Sequence, residues 1–343
     1  MLLELRQSPM ALEMKAANES IVRFLEAIGA EGADYASAMD AWDHPGQPEK
    51  AGVEEVLALP QAEREALWRA VEEDIGFDAS IDDEAFVFAF AGLAERTRRA
   101  GKRLLASMYD SVFAGKGFAL PAHSEVNRTT WEYAFRAANP AIRVCPACLI
   151  NSLEWRIEGR AASDADHYLP RNLYPALSVH GMNLVPICKN CNRTAKGPKD
   201  PLAAETGAHA LTKVWFPYRD IGIASLELDF APATPSMQGL ISLRGTPGTE
   251  QQAELFDALF RLSSRWSEGL DNVHWKVVLQ LRDRFDDGQF EIEGVKAALR
   301  RMAATMKAGL TKIPGEYVAG CYCAWLADSP SALASLVEEL REG

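Results

Sequence analysis

The sequence predicts an α+β fold in which a central segment of short strands and turns lies between two mainly α-helical regions. Three observations predict it. Apolar residues recur at helical spacing over much of residues 1–140 and again after residue 250. Residues 141–200 instead combine short apolar runs with proline, glycine and paired cysteines. The alternating segments 221–230 and 239–244 predict a small antiparallel β element.

We therefore expect three regions: an N-terminal helical region over 1–140, a central unit over 141–200, and a C-terminal mainly helical region over 201–343 that begins with the short β pair. The chain has 343 residues, 48% of them hydrophobic, enough for one large core or two modest ones. No apolar run reaches the roughly 20 residues that a membrane span needs. Because the first residues do not form a signal peptide, we expect a cytoplasmic protein without a membrane partner.

Individual helices are predicted from apolar periodicity and from end signals. In the N-terminal region we expect helices over 11–28, 61–74 and 85–108, with a break at 40–50. In the C-terminal region we expect helices over 250–286, with a break near Gly269, and over 290–308, 316–327 and 331–341. Ser329 and Pro330 suit the start of the last helix, because proline is favoured at the first helical position.

The charge of the chain bears on its partners. The sum of 36 Lys and Arg against 48 Asp and Glu gives −12, which taken alone argues against binding to nucleic acid. Residues 141–199, however, contain 8 basic and 4 acidic residues, so this segment is +4 and the rest of the chain is −16. Salt limits the reach of surface charges to about 8 to 10 Å. The local balance therefore matters more than the total.

Four of the six cysteines form two CxxC pairs, Cys145 with Cys148 and Cys188 with Cys191, separated by 39 intervening residues. In a reducing compartment this pattern favours a metal over disulfides. Four thiolates that close around one Zn²⁺ leave no open position, so such a zinc would be structural. The alternative is two unrelated CxxC turns or a redox pair.

Polar residues between and after the cysteine pairs are candidates for a hydrolytic site. Histidine titrates near physiological pH, so His167 suits the role of a general base that takes a proton from water. Asp166 and Asn192 offer oxygen ligands for a hard cation such as Mg²⁺. Asn183 is expected to hold the loop that presents His167. A strand end at His167 and a helix start beside Cys191 predict a two-strand-plus-helix unit.

The order and spacing of these residues resemble the HNH endonucleases of the ββα-metal class, in the branch with a four-cysteine zinc site. The resemblance covers about 145–200 and rests on the runs Asp166-His167-Tyr168-Leu169-Pro170-Arg171, Asn183-Leu184-Val185-Pro186 and Cys188-x-x-Cys191-Asn192-Arg193-x-x-Lys196. It implies a central ββα-metal unit with structural zinc on the four cysteines.

The resemblance also implies residue roles. His167 corresponds to the general base, Asn183 to the central asparagine and Asn192 to the final position, where Asn replaces His; with Asp166 these form the catalytic set. The family implies hydrolysis with one divalent cation, Mg²⁺ or Mn²⁺, on Asp166 and Asn192, and products with 5′-phosphate and 3′-hydroxyl ends.

The partners follow from the same resemblance. We expect nucleic acid as the substrate, DNA rather than RNA, with contacts from Arg171, Arg193, Lys196 and His180. The acidic flanking regions suggest a protein partner, as in the HNH proteins beside ATPases in Septu-type anti-phage defence: an ATPase, a sensor or a second copy of the chain. The alternative is a non-catalytic zinc module that binds nucleic acid or a protein.

Overall fold

The structure is a computed structural model of the chain and describes residues 9–120, 123–153, 156–157, 160–161, 164–202, 211–219, 226–231, 240–285 and 288–342. It contains mainly helices together with small strand pairs, in agreement with the predicted α+β class. Backbone contacts divide the chain into two units. The first comprises Met1–Pro140, Trp155–Pro186 and Pro198–Ile221, and the second Ala141–Glu154, Ile187–Gly197 and Gly222–Gly343. The predicted central region 141–200 is therefore shared between the two units.

The first unit is built mainly from helices. They are α1 (Pro9–Gly29), α2 (Tyr35–Asp40), α3 (Lys50–Leu57), α4 (Gln61–Ile75), α5 (Glu95–Ser107) and α6 (Arg128–Ala138). The predicted helices over 11–28 and 61–74 are confirmed as α1 and α4, and the predicted break at 40–50 separates α2 from α3.

The buried face of α1 explains why this helix docks. Its apolar residues recur every three or four positions, which places Met14, Ile21, Phe24 and Ile28 on one buried face. They join Leu67 and other buried side chains of α3, α4 and α5 in one hydrophobic core. Packing of this kind supplies most of the stability of helices of this length.

The predicted helix over 85–108 is wrong in its first half. A short 3₁₀ turn occupies Ala89–Gly92, and α5 begins only at Glu95. The cause is the carboxylate of Asp74 at the end of α4, which accepts the backbone N–H of Ala89 at 2.6 Å and that of Phe90 at 3.3 Å. In an α-helix these N–H groups would bond to carbonyls four residues earlier. A π-helix over Met108–Lys116 extends α5 at its other end.

Short strand pairs complete the first unit. Strand β1 (Phe118–Leu120) pairs antiparallel with β2 (His123–Val126), and β3 (Arg156–Ile157) with β4 (Arg160–Ala161). Strand β5 (Asp164–His167) pairs with β6 (Leu184–Ile187). Between β5 and β6 the chain forms two 3₁₀ turns, Pro175–Leu177 and Gly181–Asn183. Ala176, Val179 and Leu184 enter the same hydrophobic core as α1, so this connection is packed rather than loose.

The second unit contains a π-helix, a β pair and a run of helices. The elements are the π-helix Asn190–Lys196, β7 (Leu226–Phe230), β8 (Ile241–Gly245), α7 (Glu250–Phe260), α8 (Leu262–Glu268), α9 (Leu270–Arg284), α10 (Ile292–Ala308), α11 (Glu316–Asp328) and α12 (Pro330–Glu342). The antiparallel pairing of β7 with β8 confirms the described part of the predicted β element. Residues 221–225 and 239 lie outside the described residues.

Two helix boundaries in the second unit lie where local sequence signals predict them, and a third was not predicted. The break at Gly269 and the start of α12 at Pro330 are confirmed. A further break occurs at Arg261, whose φ of 52° is left-handed and ends α7. The side chain of Asp257 accepts the backbone N–H of Ser263 at 2.8 Å, a group in the first turn of α8 that has no carbonyl partner within the helix. Within the described part of the chain, no helix is long and apolar enough to span a membrane.

The buried carboxyl of Asp74 predicts a pH dependence. Burial raises the pKa of Asp74 from 3.8 to about 7. This pKa is higher in the folded than in the unfolded protein, so the protonated carboxyl of Asp74 favours the folded state. Its contribution to the free energy of unfolding is fully present below about pH 4 and is lost as the pH rises through 7. We expect the free energy of unfolding to fall between pH 5 and 8, with a shallower fall in Asp74→Asn, as measured by urea unfolding.

The control for this prediction is Asp40→Asn, which removes an exposed carboxylate of the same unit. We expect this variant to keep the pH slope of the parent protein. If the free energy of unfolding changes equally with pH in Asp74→Asn and in the parent protein, another group causes the pH dependence.

Candidate functional site

Four buried cysteines of the second unit form one cluster. The sulfur atoms of Cys145, Cys148, Cys188 and Cys191 all lie within 4.8 Å of one another. The Sγ atoms of Cys148 and Cys188 are 4.0 Å apart and all four thiols are free, whereas a disulfide needs about 2.05 Å. Thiolates arranged tetrahedrally about 2.3 Å from one Zn²⁺ would be about 3.8 Å apart. The cluster therefore has the donor set and size for a metal such as zinc.

Backbone N–H groups point at the sulfur atoms. The N–H of Cys188 donates to Sγ of Cys145 at 3.3 Å, and that of Cys191 donates to Sγ of Cys188 at 3.4 Å. The turn of the first pair closes through a 2.9 Å hydrogen bond from the N–H of Leu149 to the carbonyl of Cys145. Such N–H donors stabilise negative charge on sulfur, as a thiolate metal site requires.

Side chains from distant parts of the second unit surround the cluster. Asn151 donates to Sγ of Cys188 at 3.2 Å, and Arg265 of α8 donates to Sγ of Cys191 at 3.3 Å. The indole N–H of the next residue, Trp266, donates to the carbonyl of Cys148 at 2.9 Å. The guanidinium offsets part of the negative charge of the thiolates. No local signal in the sequence predicts the contact of Arg265, which lies 74 residues from Cys191.

The sulfur atoms also set the pKa values of one another. Burial raises the pKa of Cys145 well above its usual value. Hydrogen bonding from Cys145 lowers the pKa of Cys148 to about 7 and holds the pKa of Cys188 far below its usual range. A thiolate is thus favoured at two positions of the cluster near neutral pH, which suits metal binding.

In the first unit, His167 stands at the end of β5 and is held from two sides. Its Nε2 lies 2.9 Å from the carbonyl oxygen of Ser178. Its half-buried ring packs edge-on against the ring of Tyr109, with 4.5 Å between the centroids. A carbonyl only accepts hydrogen bonds, so this contact places the proton on Nε2 in the neutral ring. The Nδ1 atom then carries the lone pair, as a general base requires.

Asn183 joins the segment after His167 to the turn that holds it. Its Oδ1 accepts the N–H of Leu169 at 2.7 Å, while its Nδ2 donates to the carbonyls of Leu169 at 3.0 Å and Leu177 at 3.2 Å. Its backbone carbonyl accepts the N–H of Tyr168 at 2.9 Å. The side chain is almost fully buried. Asn183 therefore fixes the positions of β5 and of the turn at once.

The remaining members of the predicted catalytic set differ in position. Asp166 is a buried residue of β5 in the first unit. Asn192 is partly exposed and lies in the π-helix of the second unit, directly after Cys191. The structure thus brings Asp166, His167 and Asn183 into one unit, whereas Asn192 belongs to the unit that contains the cysteine cluster.

The chain was compared with protein-family models, with curated proteins and with solved structures, and none of them matches it.

The predicted nucleic-acid contacts fall into two groups. Arg193 is exposed on the π-helix, and Arg171 is half-exposed, donates to Asp110 at 2.7 Å and lies over the ring of Tyr109. Lys196 and His180 are instead buried. Burial lowers the pKa of His180 to about 4, so its ring is neutral at physiological pH. Of these four predicted contacts, only the two arginines thus present positive charge near the surface.

The cluster predicts metal content. We expect about one metal ion per chain in the purified protein, measured by inductively coupled plasma mass spectrometry, because the four sulfur atoms match one tetrahedral site. Cys188→Ser should lose most of this metal and melt at a lower temperature, because binding of a structural metal contributes to folding. Cys321→Ser is the control, since this partly buried thiol lies outside the cluster. Equal metal content in both variants would contradict the assignment.

The buried amide of Asn183 predicts a loss of stability. Asn183→Ala removes the partners of one N–H and two carbonyl groups inside the first unit, so we expect the free energy of unfolding to fall by about 3 kcal/mol. Urea unfolding measures it. Asn172→Ala, an exposed asparagine of the same unit, should change stability by less than about 0.5 kcal/mol. A similar small change in Asn183→Ala would mean that these hydrogen bonds do not hold the turn.

Proposed function

We propose that the chain is a metal-dependent endonuclease of the HNH type that hydrolyses phosphodiester bonds of nucleic acid, with DNA as the preferred substrate. The observation that carries the proposal is the setting of His167. Its Nε2 is fixed by the carbonyl of Ser178, and the segment that follows it is tied by Asn183 to the same turn. A histidine held in one tautomer and one orientation is what general-base catalysis needs.

The second part of the proposal is that the four-cysteine cluster holds zinc in a structural role. Four thiolates fill the tetrahedral coordination of Zn²⁺, so no position is left for a reacting water. The N–H donors at the sulfur atoms and the guanidinium of Arg265 support this assignment, because such partners stabilise metal-bound thiolates.

The chemistry follows from the lone pair on Nδ1 of His167. This atom accepts a proton from water, the water oxygen forms a bond to phosphorus, and the bond between phosphorus and the 3′ oxygen breaks. The 3′ oxygen takes a proton from solvent and His167 returns its proton to solvent, which leaves 5′-phosphate and 3′-hydroxyl ends. A bound Mg²⁺ or Mn²⁺ would stabilise the charge on the phosphate and on the departing oxygen.

The residue of the first unit proposed to hold that cation is Asp166. It is a buried carboxylate beside the base, and an oxygen donor of this type is the ligand that Mg²⁺ prefers. The role of Asn192 as a ligand stays a prediction from its place in the motif after Cys191.

The charge distribution supports a partner-dependent nuclease. The +4 of residues 141–199 and the exposed Arg193 favour phosphate, whereas the −16 of the remaining chain opposes it. We therefore propose weak intrinsic affinity for DNA and a protein partner, either an ATPase, a sensor or a second copy of the chain. An effector of bacterial anti-phage defence fits this combination.

The nuclease proposal predicts metal-dependent cleavage. We expect the protein, alone or together with its partner, to cut plasmid in Mg²⁺ or Mn²⁺ but not in EDTA, and His167→Ala to reduce the rate by at least about 100-fold, the usual contribution of a general base. Gel electrophoresis of plasmid, single-stranded DNA and RNA measures this, and ligation of the products tests for 5′-phosphate ends. Asn172→Ala should cleave like the parent protein.

Equal cleavage by His167→Ala and the parent protein would contradict the role of His167. A protein that holds zinc and binds DNA but cleaves none of the three substrates, with or without its partner, would instead be a non-catalytic zinc module.

A further inference from the structure

Tyr109, a residue of the π-helix Met108–Lys116, contacts both His167 and Arg171 in the first unit. Its ring packs edge-on against the ring of His167, with 4.5 Å between the centroids. The guanidinium carbon of Arg171 lies 5.2 Å from the centroid of the same ring. A further ring contact, to Phe113 at 5.6 Å, joins Tyr109 to the hydrophobic core. The tyrosine is therefore held in one position beside the proposed base.

The hydroxyl group of Tyr109 can still bond to a ligand. The residue is 7% exposed, and among the described residues its hydroxyl has no hydrogen-bond partner, yet the oxygen is not one of the polar atoms closed off from solvent. Burial raises the pKa of Tyr109 above its usual value, against an opposing effect of the charges of Arg128 and Arg171. The hydroxyl thus stays protonated at neutral pH and acts as a hydrogen-bond donor.

Arg171 brings positive charge to this hydroxyl. Its side chain is 40% exposed and donates one hydrogen bond, from Nη1 to the carboxylate of Asp110 at 2.7 Å. A guanidinium has five N–H donors in a planar fork, so the bond to Asp110 leaves others for a phosphate. The carboxylate of Asp110 holds the guanidinium in place but also repels anions.

We infer that Tyr109 and Arg171 form a binding site for a backbone phosphate of nucleic acid beside His167. The hydroxyl of Tyr109 and the guanidinium of Arg171 donate hydrogen bonds to non-bridging oxygens of the same phosphate. The contact between Tyr109 and His167 places this phosphate next to the base. That placement rests on the proposed nuclease function, whereas the binding of phosphate does not.

Tyr109→Phe tests the hydroxyl, because it keeps the ring that contacts His167 and Arg171. We expect the full chain with this change to bind a fluorescein-labelled DNA duplex about tenfold less tightly, the effect of losing one hydrogen bond to a charged acceptor. Fluorescence anisotropy at low salt in EDTA measures binding without cleavage. The loss should be equal for two duplexes of unrelated sequence, because phosphate contacts carry no base information. The free energy of unfolding in urea should not change.

Arg171→Gln tests the charge through the salt dependence of binding. It should weaken the binding and lower the slope of log affinity against log salt by about 1, because one ionic contact to phosphate releases about one counterion. Tyr109→Phe removes no charge and should keep the slope of the parent protein. Asp110→Asn removes a charge that repels phosphate and should tighten the binding several-fold.

Two residues of the first unit offer matched controls. The ring of Tyr35 in α2 also lies near a cation, with Nζ of Lys50 at 5.2 Å from its centroid. Arg96 of α5 pairs with the carboxylate of Glu63 on the surface, as Arg171 pairs with Asp110. Tyr35→Phe and Arg96→Gln should bind both duplexes like the parent protein.

The binding data decide the phosphate site by themselves. Parent-like binding in Tyr109→Phe, an unchanged salt slope in Arg171→Gln, or equal losses in the two control variants would each overturn it. A parent protein that binds no nucleic acid, with or without its partner, would overturn it as well.

Plasmid cleavage in Mg²⁺ separates this inference from the proposed function. At saturating DNA, Tyr109→Phe should also lower the cleavage rate, because the phosphate is no longer held next to His167. An unchanged rate together with weaker binding would show that the phosphate lies away from the base. Loss of affinity in Tyr109→Phe and Arg171→Gln, in a protein that cleaves no DNA, would reject the nuclease function and keep the phosphate site.

Discussion

Four sulfur atoms that lie within 4.8 Å of one another impose the main constraint on the second unit. They join residues 145–148 to residues 188–191, between which the chain contributes Trp155–Pro186 to the first unit. Holding the two ends of this intervening segment together reduces the number of conformations open to it. The helix that carries Arg265 and Trp266 docks on this cluster through hydrogen bonds to Cys191 and Cys148. A metal on the sulfur atoms would therefore stabilise tertiary as well as local structure.

The hydrogen bonds of Asn183 likewise restrain the chain within this intervening segment. The regular elements of the connection between β5 and β6 are two 3₁₀ turns of three residues each, so its buried backbone polar groups need other partners. A single amide supplies three of them, to Leu169 and Leu177. His167 is positioned by this rigid connection and by the ring of Tyr109. The chemistry that we propose for His167 thus depends on buried groups as well as on those that contact substrate.

The sequence was informative where the controlling interaction is local. Gly269 and Pro330 mark helix ends through their own backbone preferences, and each CxxC pair brings two sulfur atoms together within one turn. The sequence was uninformative where contact with a distant residue decides the local structure. Residues 85–94 have the composition of a helix, yet the carboxylate of Asp74 takes the N–H groups of Ala89 and Phe90. The burial of His180 depends in the same way on the ring of Phe77, 5.0 Å away and far along the chain.

The π-helix Asn190–Lys196, which contains Cys191, limits how this segment can change in length. Its last hydrogen bond runs from the N–H of Gly197 to the carbonyl of Asn192, five residues earlier instead of the four of an α-helix. Removal of one residue would restore α-helical spacing and turn every later side chain by about 100°. Gly197 itself has a φ of 55°, which favours glycine. Between Cys191 and Gly197 the protein therefore tolerates new side chains at exposed positions more readily than a change in length.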